Sequence, residues 1–242
     1  MTPAAATVAS PRSRRPALLP TLATVLAVAL FVSAGLWQRD RMHQKMALRA
    51  AADAVAAQPP VALPVKTDWA SWRFRPVRLT GTFDAEHQIL IDNKVRAGRA
   101  GFAVVTPLTL ADRRTVLVDR GWVPAGRSRA ELPQVPPPGG VVTVTGRVNL
   151  PPASYFELAP DTVAGPVWQN LDIGRAQRAF ATALLPVIVE QTAAIGPGDD
   201  LARDRPPPDF GIDTHRTYMV QWFIFAALAA GLWIWFTFGR RR

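Results

Sequence analysis

Charge is absent from two stretches of the 242-residue chain, 16–38 and 217–239, each 23 residues long. At a helical rise of about 1.5 Å per residue, each would span roughly 34 Å, enough for a hydrocarbon core of about 30 Å. The pattern predicts two transmembrane helices, over 17–38 and 217–239, with residues 39–216 between them. That middle is long enough for one folded domain with its own core. Residues 40–57 read as a polar continuation of the first helix, ended by Gln58-Pro59-Pro60, because proline after a helix stops it.

From Ser71 the period shortens to two. Arg73, Arg75, Val77, Leu79 and Gly81 alternate with Phe74, Pro76, Arg78, Thr80 and Thr82, which predicts a strand. Further strands are predicted over 88–92, 102–110, 115–123, 141–150 and 186–191, with a glycine-containing loop over 94–101 and a tight turn at Ala111-Asp112. One short amphipathic helix is expected over 172–182, capped by Asp172 or Asn170. Residues 133–140 form a Pro/Gly-rich link, and 196–213 read as a semi-rigid linker leading to the second apolar run. The expected fold class is membrane α+β: two transmembrane helices flanking an extracytoplasmic antiparallel β-sheet or small barrel with short helices.

On the second apolar helix, His215, Tyr218, Met219, Trp222, Ala226, Ala229 and Trp233 share one face, while Gln221 points about a third of a turn away. A titratable residue at the rim of a membrane helix is costly and often functional, so His215 is a candidate site residue. Gln221 is expected to bond across to the first helix near Gln38.

The net charge of +10 does not indicate nucleic acid, because it sits at the edges of the apolar runs. Residues 1–16, 38–50 and 240–242 each carry +3, which leaves +1 for the rest. Basic residues there favour anionic headgroups and orient the helices. Arg12, Arg14 and Arg15 before one run and Arg240, Arg241 and Arg242 after the other predict cytoplasmic termini: a disordered segment over 1–16 and a basic tail over 240–242. Arg39, Arg41, Lys45 and Arg49 oppose that orientation, but a loop of this length is translocated largely regardless of its charge. Ser13-Arg14-Arg15 lacks the aromatic of a twin-arginine signal, and the first run exceeds a signal-peptide core, so an uncleaved anchor is expected despite Val32-Ser33-Ala34. The absence of cysteine excludes disulfides, thiol catalysis and thiolate metal sites.

Four stretches carry a resemblance: Gly35-Leu36-Trp37-Gln38 with Arg41, Gly81-Thr82-Phe83, Arg120-Gly121-Trp122-Val123-Pro124, and His215 with Tyr218, Gln221, Trp222 and Phe223. In that order, and with helix, β domain and helix in sequence, the chain resembles the SURF1/Shy1 family of cytochrome c oxidase assembly proteins. The resemblance implies an assembly factor in the bacterial inner membrane that binds haem a transiently and assists its insertion into the oxidase catalytic subunit. Implied partners are that subunit, the lipid bilayer and, as a source of the cofactor, haem a synthase. Residues 129–152 match no motif of the family and read as a local insertion.

The resemblance implies His215 as ligand to the haem iron, a role suited to a neutral imidazole whose other nitrogen is held by a partner. Tyr218 and Trp222 are candidates to line the haem, and Met219 is a weaker second ligand. Arg41 and Arg216, with Arg39, are candidates to pair with propionates, because Arg binds carboxylates in bidentate fashion. Arg120-Gly121-Trp122-Val123-Pro124 reads as structural, with a glycine conformation followed by a strand-ending proline. His43 and His87 are expected to face solvent or form hydrogen bonds. No enzyme activity is expected, since the chain has no G-x-S-x-G, H-E-x-x-H or phosphate-cradling loop. The alternative to haem handling is a non-haem membrane scaffold for an oxidase assembly intermediate.

Overall fold

In the computed structural model, residues 17–126, 131–151, 165–205 and 210–239 are described. The N-terminal segment 1–16, the basic tail 240–242 and parts of the 129–152 and 196–213 segments lie outside them. The chain forms two compact units. One comprises residues up to 49 and from 208 onward, and the other residues 50–207.

The first unit is built from α1 (Leu18–Ala56) and α3 (Ile212–Ile234), which ends in a π-helical turn over Trp235–Gly239. Between them in sequence lies α2, Ile173–Phe180, in the second unit. Both α1 and α3 are long and apolar enough to cross a membrane. Leu18 is 85 % exposed, Leu30 64 % and Leu228 56 %, so apolar side chains cover the outer faces as well as the seam. A helix apolar on every face is stable where its surroundings are also apolar. The hydroxyls of Thr21 and Thr24 donate to the carbonyls of Ala17 and Pro20, 2.9 Å each, so neither is an unmet polar group. As expected, α1 continues past the apolar run, to Ala56. α3 begins at Ile212, ahead of its uncharged run, behind Gly211 in a left-handed conformation.

The second unit holds eight strands: β1 (Val61–Ala62), β2 (Pro76–Phe83), β3 (Ile89–Arg96), β4 (Arg99–Leu110), β5 (Thr115–Pro124), β6 (Val141–Asn149), β7 (Val167–Trp168) and β8 (Leu184–Gln191). Following the pairings, β2, β6, β8, β5 and β4 return to β2 and close a ring. The expected barrel is present, but it is not wholly antiparallel. A ring of five strands cannot alternate direction all the way round, and the parallel step falls between β5 and β8. The short strands β1 and β7 also pair in parallel, with β2 and β3.

Alternating residues fill the ring: Val77 and Leu79 from β2, Leu108 from β4, Val116 and Val118 from β5, Val144 from β6 and Val189 from β8. The outer surface beside β4 and β5 is buried as well, under α2 and β7, by Ile89, Val105, Leu117, Trp168 and Ala176. Strands β2 and β6 therefore alternate cleanly between buried and open positions, whereas β4 and β5 are buried on both faces along most of their length. Asp172 caps α2 as expected, accepting from the Arg175 N–H at 2.8 Å.

Three sequence expectations change. The first strand begins at Pro76 rather than Ser71, because a 3-10 turn over Trp69–Trp72 and Phe74 at φ +68° interrupt the chain there. The loop expected over 94–101 is mostly strand: β3 and β4 run to a two-residue turn at Ala97 and Gly98, both at positive φ. The segment after 196 is no free linker. Leu201 is buried, and Ala202 exchanges two backbone hydrogen bonds with Trp122, at 2.8 and 2.9 Å. Arg205 donates to Asp119 and to the Gln191 carbonyl, and Arg203 pairs with Asp199. Burial holds the Asp119 carboxyl above its ordinary range, although Arg205 opposes this. Burial also acts on Asp199, but the Ile195 N–H and Arg203 outweigh it and hold that carboxyl below its ordinary range.

The motif around Arg120 has a structural cause. Val105 pairs with Asp119 and Val104 with Gly121, so Arg120 is the extra residue of a β-bulge. The bulge sends its side chain inward, 3 % exposed, over the Phe83 ring. There it donates to Gln88 Oε1 (2.8 Å) and to the carbonyls of Val135 (2.9 Å) and Pro136 (3.2 Å). The proline-rich stretch that matched no motif is thus pinned to the barrel by a motif residue. Gly121, at φ +139°, passes the Ala202 carbonyl so closely that a Cβ would lie 2.8 Å from it. At Gly81, where β2 meets β4, a Cβ would collide with the Thr109 carbonyl.

Gly121→Ala and Gly81→Ala are each expected to destabilise the barrel by about 1–3 kcal/mol. Gly139→Ala, where a Cβ meets nothing within 4 Å, is expected to be neutral. Denaturant melts followed by tryptophan fluorescence distinguish them. Equal stability in all three would show that the close backbone approaches impose no constraint.

Candidate functional site at the helix pair

Contacts between α1 and α3 run in opposite senses along the two helices. Trp233 Nε1 donates to Thr21 Oγ1 at 3.1 Å. The Trp222 ring stacks on Phe31, centroids 5.8 Å apart and planes 28° apart, and Phe225 meets the same ring at 5.8 Å. Gly35 faces Phe223 so closely that a Cβ would lie 2.9 Å from the ring. Finally, Gln38 Oε1 lies 2.7 Å from His215 Nδ1. As residue numbers rise on α1 they fall on α3, so the helices pack antiparallel. Small residues let such helices approach, and Gly35 and Ala226 are both buried in the seam.

The polar pair closes one end of this seam. Gln38 is only 9 % exposed, at the last position before the charged continuation of α1. His215 is half-buried in the first turns of α3. Because an amide oxygen only accepts, Nδ1–H is the donor of this bond, and in the neutral ring Nε2 is then the nitrogen with the lone pair. Nε2 has no hydrogen-bond partner among the described residues. An imidazole held at one nitrogen and open at the other is the arrangement found where histidine ligates a metal.

The predicted face is largely the buried one: His215, Met219, Trp222, Ala226, Ala229 and Trp233 are half-buried or buried. Tyr218 is 49 % exposed and lies outside the seam. Arg216 is exposed beside His215. Arg41, also exposed, lies 5.8 Å over the Trp37 ring and donates to Gln44 Oε1 at 3.1 Å. Arg39 pairs with Asp40. The structure thus pairs His215 with Gln38 and, two turns along the seam, Trp222 with Phe31, and leaves Arg41, Arg216 and Tyr218 on open surface. Gln221 does not reach Gln38, which is engaged by His215. The sequence reading missed this pairing, although Gln38 and His215 stand at matching ends of two apolar runs. Among the other histidines, His87 bonds Asp84 Oδ2 through Nδ1 at 2.6 Å, and His43 is exposed. A groove of about 650 Å³ lies at the far end of the helix pair, beside Thr21 and Trp233.

A sequence model of the SURF1 family matches residues 25–227. Surfeit locus protein 1 of Takifugu rubripes is 24% identical over 223 residues, covering 82% of this chain and 89% of its own. A SURF1-like protein of Rickettsia felis is 27% identical over 103 residues, 42% of this chain and 45% of that one. The cytochrome oxidase assembly protein SHY1 of Saccharomyces cerevisiae is 30% identical over 93 residues, 37% of this chain and 24% of that one.

Gly35→Leu is expected to wedge the helices apart. In this cysteine-free chain, a Phe31→Cys/Phe225→Cys pair should be joined efficiently by a short thiol crosslinker, and adding Gly35→Leu should lower the yield several-fold. An undiminished yield would contradict the close packing described.

Proposed function

The chain belongs to the SURF1 family, and on that premise we propose that it is an assembly factor for a haem-copper cytochrome c oxidase. In this reading it binds haem a through His215 and assists the cofactor's insertion into the catalytic subunit. The observation that carries the reading is the His215–Gln38 pair: one ring nitrogen is occupied, and the other presents a lone pair at the end of an apolar helix seam. An imidazole nitrogen is a fitting donor for haem iron.

The surrounding side chains fit the same cargo. Trp222 offers an aromatic surface two turns along the helix, although its stack on Phe31 already uses one face. Arg216 and Arg41 are exposed guanidinium groups on the two helices and suit propionates, although Arg41 would have to leave Gln44 to reach one. Tyr218, exposed one turn after His215 on α3, is available to line the bound ring. His215 is only half-buried, which suits a carrier that must release what it holds.

The setting proposed is a bacterial cell membrane. Helices α1 and α3 span it, both termini are cytoplasmic, and the barrel is extracytoplasmic. The apolar outer faces of both helices support the spanning, and the arginines of 1–16 and 240–242 support the orientation. The partners would be the oxidase catalytic subunit and the enzyme that supplies haem a.

The test is the visible spectrum of detergent-purified protein co-expressed with haem a synthesis, wild type against His215→Ala. A Soret band in the wild type that is lost or shifted in the variant is expected. Identical haem spectra would move the ligand elsewhere. A haem-free wild type whose deletion still blocks oxidase assembly would instead favour a scaffold that stabilises an assembly intermediate without carrying haem.

A further inference from the structure

We propose that Gln38 is the positioning residue of the site, fixing His215 as the Nδ1–H tautomer so that Nε2 alone faces outward as a donor. The tautomer follows from this chain's own geometry; its use in holding haem rests on the function proposed above.

Three observations combine. The Gln38 oxygen lies 2.7 Å from Nδ1, at the short end of the usual N–H···O range. Gln38 is nine-tenths buried, so leaving its amide oxygen unmatched would carry a desolvation penalty with little water at hand to relieve it. The bond also joins two helices rather than neighbours on one, so the register set by Gly35–Phe223 and Phe31–Trp222 holds it in place.

The consequence is chemical. A free neutral histidine side chain in water favours the opposite tautomer, with the proton on Nε2. In that form the outward nitrogen would be a hydrogen-bond donor, unable to bind a metal ion without first losing its proton. Gln38 reverses the preference before any cargo arrives. It also orients the ring, because Nδ1 must point along the line to α1 and Nε2 is therefore turned away from the seam. Gln221, although polar and on the same helix, takes no part in this. The bond further accounts for a buried amide at the end of the uncharged run.

The experiment is long-range 1H–15N correlation NMR on the full-length, haem-free protein in detergent, with histidines labelled. The chain has three histidines. His215 is assigned by its loss in His215→Ala, and His87, bonded to Asp84 through Nδ1, serves as an internal reference. In the wild type, His215 should show a protonated Nδ1 and an unprotonated Nε2. Gln38→Met, similar in shape but with no amide oxygen, should shift the population to Nε2–H. Gln38→Glu, which keeps an acceptor oxygen, should retain Nδ1–H and controls for loss of fold. With haem added, Gln38→Met should bind about 10–100-fold more weakly than wild type, the usual effect of removing such a partner from a ligating histidine.

A wild-type His215 protonated on Nε2 would overturn the proposal, since the Gln38 amide would then be donating rather than accepting. An unchanged Nδ1–H signal in Gln38→Met would overturn it too. Failure of the haem reading looks different: the tautomer result would stand, and no Soret band would appear in the wild type.

Discussion

One hydrogen bond joins the two helices where their apolar stretches meet charged chain, from His215 Nδ1 to Gln38 Oε1. Everything else in the helix unit makes that bond possible. Phe31 stacked on Trp222, Phe223 over Gly35 and the Trp233–Thr21 contact set the register along the whole seam. Where a helix pair is surrounded by lipid, apolar side chains gain little from each other that lipid would not also give, and close packing and polar pairing are what select one alignment. A shift of α3 by a single turn would strand Gln38 and His215 apart and leave the buried Gln38 oxygen without its partner. The bond is thus a register lock for the pair and, through the tautomer it imposes, the feature that gives the site its chemistry.

The barrel solves a different problem. Five strands closing a ring must include a parallel step, and a parallel pair needs a long crossover. Here the chain leaves β5, forms β6, β7 and α2, and returns as β8. Along the way it lays the 131–140 stretch over Gln88, where Arg120 holds it by its carbonyls. The same β5 bulge that aims Arg120 inward gives Gly121 its positive φ, and on the other side accepts Ala202 as an extra pairing partner. The family motifs in the barrel therefore read as solutions to strand geometry, and the motif residues with ligand chemistry lie in the helix unit.

Much of this was legible in the sequence because the physical signals were local. Uncharged runs marked the helices, and the 3.6-residue period picked out the His215–Trp233 face that proves to be the seam. Alternation marks β2, whose one face meets the core and the other solvent. The misread elements depend on partners distant in sequence. The parallel β5–β8 step is a property of the closed ring, invisible in either strand. The β3–β4 extension through residues 94–101 looked like a loop because its outer residues are polar and its turn carries Gly98. The docking of 199–205 rests on Asp119, which lies 86 positions before Arg205. Gln221, polar within an apolar helix, suggests a bond across the pair near Gln38; only the antiparallel register shows that His215 is opposite Gln38. Tyr218 was placed on the shared face by spacing alone, and its exposure reflects the narrower width of a two-helix seam.

The central claim is that the outward nitrogen of His215 is the haem ligand. Pulsed EPR of the oxidised, haem-loaded protein with 15N-labelled histidine tests it most directly. A strong 15N hyperfine coupling to the iron, absent when His215→Ala is loaded in the same way, is the predicted result. Haem bound with no histidine coupling, or with the same coupling in the variant, would contradict the account.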